Sequence, residues 1–315
     1  MRLVHLFRPL GWLLPALLLA ACASTAPEIR YKEVDPPSSV SIQPLHNKDR
    51  PVVALALGSG GIRGFAHIAV IKVLEANHIP VDIVVGTSVG SVVGSLYAGG
   101  FAAADLERLA VQLDEGQIRD VTITRRGFIG GERLQDFINR ALENRNIEQL
   151  AKPFAVVATE LDNGRVAVFN HGNTGLAVRA SSSIPSIFNP VEIGDVTYVD
   201  GDLKSPVPAS IARQMGADVV IAVDISQQPQ DFPDASGLID VLMQSIRIMR
   251  QSILSHELKL ADVVIHPGIS VSSFDFSPEM KQVLFKAGEE AATAALPRIR
   301  EQLEQAAQRK HVHAH

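Results

Sequence analysis

Six apolar residues, Val52-Val53-Ala54-Leu55-Ala56-Leu57, run without a break into the glycine cluster Gly58-Ser59-Gly60-Gly61. No polar residue interrupts the run, so neither face of a strand built from it can meet water. Such a strand belongs inside a parallel sheet covered by helices on both sides. Residues 81–85 and 218–224 are likewise rich in branched apolar side chains and read as further strands. Between the apolar runs, apolar side chains recur at helical spacing, as Phe65, Ile68, Ile71 and Leu74 do within 65–77.

Read in order, the pattern predicts strands at 52–57, 81–85, 154–158, 166–169, 196–199 and 218–224. Helices are expected at 65–77, 88–97, 103–113, 132–142 and 207–215, with Pro80 and Gly99-Gly100 as stop signals. Strands alternating with helices define a doubly wound, layered α/β structure. Further on, 238–260 and 278–309 read as helix and 263–266 as a short strand. No internal repeat is evident. The length of 315 residues suits one large domain or two small ones, and 46% hydrophobic with 20% charged residues supports a sizeable core. The formal charge of −5 and the lack of a Lys/Arg run argue against a nucleic-acid-binding surface.

The first 21 residues read as a leader rather than as part of the fold. Arg2 and Arg8 precede the apolar stretch 12–19, which is too short to span a bilayer and ends in Leu19-Ala20-Ala21-Cys22. That ending resembles the lipobox of bacterial lipoproteins, where the cysteine is diacylated and becomes the new N-terminus. An ordinary signal peptide cut near Ala21 is the alternative. Cys22 is the one cysteine in the chain, so no disulfide can use it. The mature chain would carry 27 basic against 34 acidic residues, net −7, so the lipid rather than a polybasic patch must hold it. Residues 22–50 show no apolar periodicity and read as a lipidated N-terminus with a flexible tether. Ala23 rather than Asp follows Cys22. In Gram-negative lipoproteins that absence implies the periplasmic face of the outer membrane.

Three segments carry chemistry. Gly86-Thr87-Ser88-Val89-Gly90 lies between a predicted strand and a predicted helix, the context of a nucleophile elbow, in which a strained turn lifts a serine hydroxyl above the sheet. A serine at a helix start is also a common N-cap. Gly58-Ser59-Gly60-Gly61-Ile62-Arg63-Gly64 is a second strand-to-helix turn. It lacks the Gly-Lys-Ser/Thr ending of a phosphate-binding loop and matches the dinucleotide fingerprint poorly. What remains is an oxyanion hole made of backbone N–H groups, or a tight turn without chemistry. The third segment, Tyr198-Val199-Asp200-Gly201-Asp202, puts an acid at the end of a strand ahead of a turn glycine.

Together and in this order the three segments resemble the patatin-like phospholipase family, and in particular its small bacterial members. Ala66-His67-Ile68, Ala158-Thr159-Glu160-Leu161, Ala180-Ser181-Ser182-Ser183-Ile184-Pro185, Pro190-Val191 and Gly216-Ala217-Asp218-Val219-Val220 match its habits as well. The resemblance runs from about Val53 to Asp224. It implies a three-layer α/β/α fold with a mostly parallel central sheet, a catalytic domain over 51–225 and a mostly helical extension of the same domain over 226–309. It also implies a Ser-Asp dyad without histidine: Ser88 as nucleophile, Asp200 as base, and Gly60 and Gly61 as oxyanion donors. Gly58, Gly64, Gly86, Gly90, Gly201 and Asp202 complete the motifs. Arg63 would tie the glycine turn down or meet a head-group phosphate. Two positions depart from the family pattern. Ser59 stands in place of a glycine, and Asp202 in place of Gly or Ala, where its charge would raise the pKa of Asp200 if near enough.

None of the ten histidines occupies a recognisable triad context, and His67 reads as a packed helix residue. His311, His313 and His315 end the chain without acidic partners and read as a solvated, disordered tail over 310–315 rather than a metal site. No metal or other cofactor is implied. The expected activity is cleavage of lipid or phospholipid esters through an acyl-Ser88 intermediate. The alternative is a lipid-binding or envelope-scaffolding lipoprotein that keeps the fold without catalysis.

Overall fold

The computed structural model describes residues 35–47, 49–113, 120, 127, 129–231, 236–269 and 275–313. Its strands are β1 (Val53–Leu57), β2 (Ile83–Thr87), β3 (Phe154–Glu160), β4 (Val166–Phe169), β5 (Val191–Ile193), β6 (Val196–Asp200), β7 (Val219–Val223) and β8 (Val263–Ile265). The helices are α1 (Phe65–Ala76), α2 (Val89–Ala98), α3 (Ala103–Gln112), α4 (Glu132–Ala141), α5 (Thr174–Ser181), α6 (Ala209–Gln214), α7 (Leu238–Leu258) and α8 (Pro278–His313). The strands form one sheet of order β5-β6-β3-β2-β1-β7-β8, with β4 also paired to β3. Pairing is parallel from β3 through β2, β1 and β7 to β8, and antiparallel where β4, β5 and β6 join. This is the mostly parallel, layered sheet that the uninterrupted apolar runs predict.

Every residue of β1 and β7 is buried, as two-sided burial demands. The two faces differ in side-chain size. Val53, Leu55 and Leu57 of β1 face the larger core, shared with α1, α2, α3 and α8. The other face mixes Ala54, Ala56, Ala155 and Ala222 with Ile83, Val85, Val157 and Val220, and Ala209 and Ala212 of the short helix α6 pack there, followed by Leu254 of α7. Small residues on both partners let α6 approach the sheet closely.

Helix α1 is buried over most of its surface, Lys72 and its last turn apart, rather than along the single stripe its sequence suggests. Its outer face is covered by α8, whose Gly288 lies so close to Ala66 that a Cβ would sit 2.4 Å from the Ala66 carbonyl oxygen. Leu284, Leu296 and Ile299 of α8 are sealed in the same core. At about 1.5–3 kcal/mol per buried side chain, they bind the C-terminal region firmly into the domain.

Two expectations change. Residues 35–47 do not stand off as a tether. Ser38 bridges to His171, the Asn170 amide bonds both main-chain groups of Val40, the Leu45 N–H donates to Met215, and Ile42 and Leu45 pack on the smaller core. An isolated stretch without periodicity reveals none of this, because its partners are distant loops. At the other end, α8 continues to His313, and Lys310 bonds the Asn47 carbonyl at 2.6 Å and Asp218 at 2.7 Å, so residues 310–313 are part of the helix, while 314 and 315 lie outside the described residues. The leader, Cys22 and residues 23–34 lie outside the described residues.

Candidate active site

In α/β sheets ligands bind beyond the carboxyl ends of the strands, where the strand order reverses. Here that point is β1, with β2 on one side and β7 on the other. The turn after β1 holds Gly58 to Gly64, and the turn after β2 holds Ser88.

The meeting of Ser88 with Asp200, 112 positions later, follows from strand register. Val157 of β3 pairs with Thr87 of β2, and the next residue, Ala158, pairs with Asp200 of β6. Since β4 occupies the opposite edge of β3 at both positions, β2 and β6 share one edge and run toward each other end to end. The residue after β2 and the last residue of β6 must therefore be neighbours.

Ser88 has φ 54° and ψ −127°, a strained conformation for a residue with a side chain. The strain is held by hydrogen bonds and by close packing. The Ser88 N–H donates to Ser181 Oγ at 2.8 Å, Ser181 Oγ donates to the Val157 carbonyl at 2.6 Å, and Ser91 Oγ donates to the Ser88 carbonyl at 2.6 Å. Gly90 must be glycine, because a Cβ there would lie 2.1 Å from the Leu57 carbonyl oxygen. The same crowding surrounds Gly86, whose Cβ would meet α2, and Gly201, whose Cβ would meet the Val157 carbonyl.

Ser88 Oγ donates to Asp200 Oδ2 at 2.7 Å, and the Asp202 N–H donates to Asp200 Oδ1 at 2.8 Å. The Asp200 N–H is anchored on the Ser183 carbonyl at 2.9 Å. Burial pushes the Asp200 carboxyl up to about 8, and the charge of Asp202 adds to the rise; hydrogen bonds from Asp202 and Ser88 and the charge of Arg250 oppose it. Once ionised, a carboxylate so raised is a far stronger proton acceptor than a free one, with its pKa of about 3.9.

The glycine turn is held from several sides. Gly58 donates to the Val223 carbonyl at 3.0 Å, and Ser59 to that of Pro206 at 2.8 Å. Gly61 has φ +57°, which suits glycine. Gly64 lies against Val89 at the start of α2. Among the described residues, neither Gly60 nor Gly61 has a backbone acceptor for its N–H, so both remain available as oxyanion donors. Arg63 is buried, its Nε donating to the Ile225 carbonyl at 2.7 Å and its guanidinium to Gln227 Oε1 at 2.8 Å. Burial, reinforced by Arg250 and Arg247, lowers its pKa to about 10. Arg63 therefore ties the turn down and is not free to meet a head group.

His67 is completely buried, and Nε2 lies 2.8 Å from the Gly58 carbonyl. Because a carbonyl only accepts, Nε2 carries the proton. Burial lowers the pKa of the ring to about 4, so it stays neutral. His67 thus braces the glycine turn from below and is not bonded to Ser88.

Beside Ser88 opens a predominantly apolar cleft. Val89, Val92, Val93 and Leu96 of α2 form one wall, with Leu106 and Leu109 of α3 facing them. Its shape and lining suit a hydrocarbon chain.

Ser181, Ser183, Gln227 and Arg250 were not singled out for these roles by sequence reasoning. The serines lie in a run noted above only as a family habit. Gln227 and Arg250 belong to a region without a motif. Among the described residues, no cluster of three or more His, Cys, Asp or Glu side chains is arranged to hold a metal ion.

Fold and site define an α/β/α protein with an elbow serine bonded to a strand-end aspartate at the mouth of an apolar cleft. Residues 55–213 match the patatin-like phospholipase family, and the chain belongs to that family. An uncharacterized NTE family protein of Mycobacterium tuberculosis is 35% identical over 178 residues, 56% of this chain and 49% of the relative. The human patatin-like phospholipase domain-containing protein 6 is 34% identical over 187 residues, 56% of this chain but 14% of the relative. The chain thus spans about half or less of the length of these relatives. Among solved structures, VipD from Legionella pneumophila superposes with a TM-score of 0.57 at 12% identity, over 90% of this chain and 73% of that one, a likeness of fold.

Proposed function

We propose that the protein is a serine acyl hydrolase that cleaves carboxylic ester bonds of lipids or phospholipids through an acyl-Ser88 intermediate. The observation that carries this reading is the 2.7 Å bond from Ser88 Oγ to Asp200 Oδ2 at the mouth of the apolar cleft. Ser88 Oγ attacks the ester carbonyl carbon while its proton passes to Asp200 Oδ2. The oxyanion that forms is met by the N–H groups of Gly60 and Gly61. Collapse of the tetrahedral intermediate breaks the bond to the alcohol, which takes the proton from Asp200 as it leaves. Water then attacks the acyl-Ser88 ester, gives its proton to Asp200, and the carboxylic acid departs as Ser88 recovers its hydrogen.

Supply of substrate agrees with the proposed lipid anchor at Cys22 on the periplasmic face of the outer membrane. Docking of the chain from Asp35 onward leaves residues 23–34 between anchor and domain. Twelve residues span at most about 40 Å, which keeps the domain beside lipid at high effective concentration. The test is labelling of the purified protein with a fluorophosphonate and mapping of the adduct. Modification of Ser88 alone, lost in Ser88→Ala together with ester hydrolysis, is the expected result. Labelling elsewhere, or hydrolysis by Ser88→Ala within tenfold of wild type, would overturn the reading.

A further inference from the structure

The two departures from the family pattern, Ser59 and Asp202, touch each other. Ser59 Oγ donates to Asp202 Oδ1. The same carboxylate receives the Arg250 guanidinium at 3.1 and 3.3 Å, and Arg250 also reaches the Gln227 carbonyl at 3.4 Å. Gln227 Oε1 accepts from Arg63 at 2.8 Å. A polar network therefore joins the glycine turn, the turn after β6, the segment leaving β7, and α7. Arg250 is buried, and a buried cation is stable only when paired. Both Arg250 and Gln227 lie outside the residues that match the family, 55–213.

We infer that Arg250 is a positioning residue for the ester-cleaving site: through Asp202 it holds in place, and balances electrostatically, the aspartate that faces Ser88. This rests on the hydrolase reading. The geometry makes the link direct, because Asp202 is held at its carboxylate by Arg250 and Ser59 while its N–H bonds Asp200 Oδ1 at 2.8 Å. Arg250 from α7 acts on Asp200, and Arg63 from the glycine turn feels the charge of Asp202; Arg63 in turn interacts with Arg250, Arg247 and Asp224. Asp202 favours the protonated form of Asp200 and Arg250 the ionised form. Removing one or the other must therefore move the base in opposite directions, an outcome that loss of structure alone does not produce.

The experiment uses the full chain in detergent, with Asp202→Asn, Arg250→Gln, the double variant and Arg250→Lys. Two readouts are taken from pH 5 to 10: kcat/KM on a soluble acyl ester, and the melting temperature. Asp202→Asn is expected to move the acid limb of kcat/KM down by about one pH unit, and Arg250→Gln to move it up by about one. The double variant should fall between them, and Arg250→Lys should stay nearest wild type. Melting needs no catalysis. Asp200 folded holds a proton that the unfolded chain releases above about pH 4. Stability therefore falls as pH rises from there until about 8, where folded Asp200 ionises. Asp202→Asn should end that decline at a lower pH and Arg250→Gln at a higher one, with the slope between unchanged. Limbs and melting end points that stay at their wild-type pH, or that move the same way in both single variants, would overturn the inference. A wild type without hydrolysis at any pH would remove the hydrolase reading instead, and the pH at which the melting decline ends would still decide whether Arg250 and Asp202 act on Asp200.

Discussion

The apolar cleft makes a quantitative demand on substrate. Val92 stands four residues beyond Ser88 along α2, and Leu96 eight. At about 1.5 Å rise per residue, these wall positions lie about 6 Å and about 12 Å from the serine. An extended chain advances about 1.2 Å per bond, so the cleft has room for about ten carbons, and Val92 borders the fifth. Each methylene taken from water contributes about 0.8 kcal/mol, or about fourfold in kcat/KM when realised in the transition state. Between four-carbon and eight-carbon acyl esters of one chromogenic alcohol, kcat/KM should then rise about 200-fold, and growth should flatten beyond about ten carbons. In Val92→Trp the indole occupies the cleft near the fifth carbon, and the eight-to-four ratio should drop to tenfold or less. Overpacking of this kind can cost 1–3 kcal/mol, so the ratio is measured alongside the melting temperature, with esters kept below their aggregation concentrations. A ratio above 100 in the variant, or no chain-length dependence in wild type, would refute the assignment of this cleft to the acyl chain.

The base and the brace should separate in kinetics. Because Asp200 must be ionised to accept a proton, wild-type kcat/KM should rise about tenfold per pH unit up to about 8 and level off above it. Asp200→Asn should lose several orders of magnitude at every pH, while His67→Ala should lower the melting temperature and cost no more than tenfold in kcat/KM. A limb near 6.5, or equal losses in the two variants, would point to an imidazole base. At the N-terminus, Cys22→Ser should free the protein from the membrane fraction, or block its maturation, without changing hydrolysis by the soluble domain. Wild type should band with outer-membrane markers on a sucrose gradient; a band with inner-membrane markers would sink the sorting proposal.

The sequence by itself determined those features whose causes are local. The run ahead of Gly58 had to be an interior strand, because no residue in it can face water, and the apolar residues 83–85 ahead of Gly86 point the same way. Ser88 had to sit on a strand-to-helix turn, since glycines at 86 and 90 are what its close packing requires. Strand β5, of three residues, and α5, of eight, escaped notice because neither is long enough to show a period. The partnerships were decided by the tertiary structure. Ser88 and Asp200 meet because two strands abut on one edge of β3, a matter of register that no spacing along the chain encodes. His67, which looked like packing, proved to hold the Gly58 carbonyl. Residues 35–47, which looked like a tether, lie against the loops beside β4 and α6. Ser59 and Asp202 looked like two unrelated departures, and the fold makes them partners under Arg250 from a helix with no motif of its own. The physical reason is the same throughout. Burial patterns and turn residues act over a few positions and leave a readable trace. Hydrogen bonds between distant segments depend on how the layers pack, which the sequence specifies only through the folded chain as a whole.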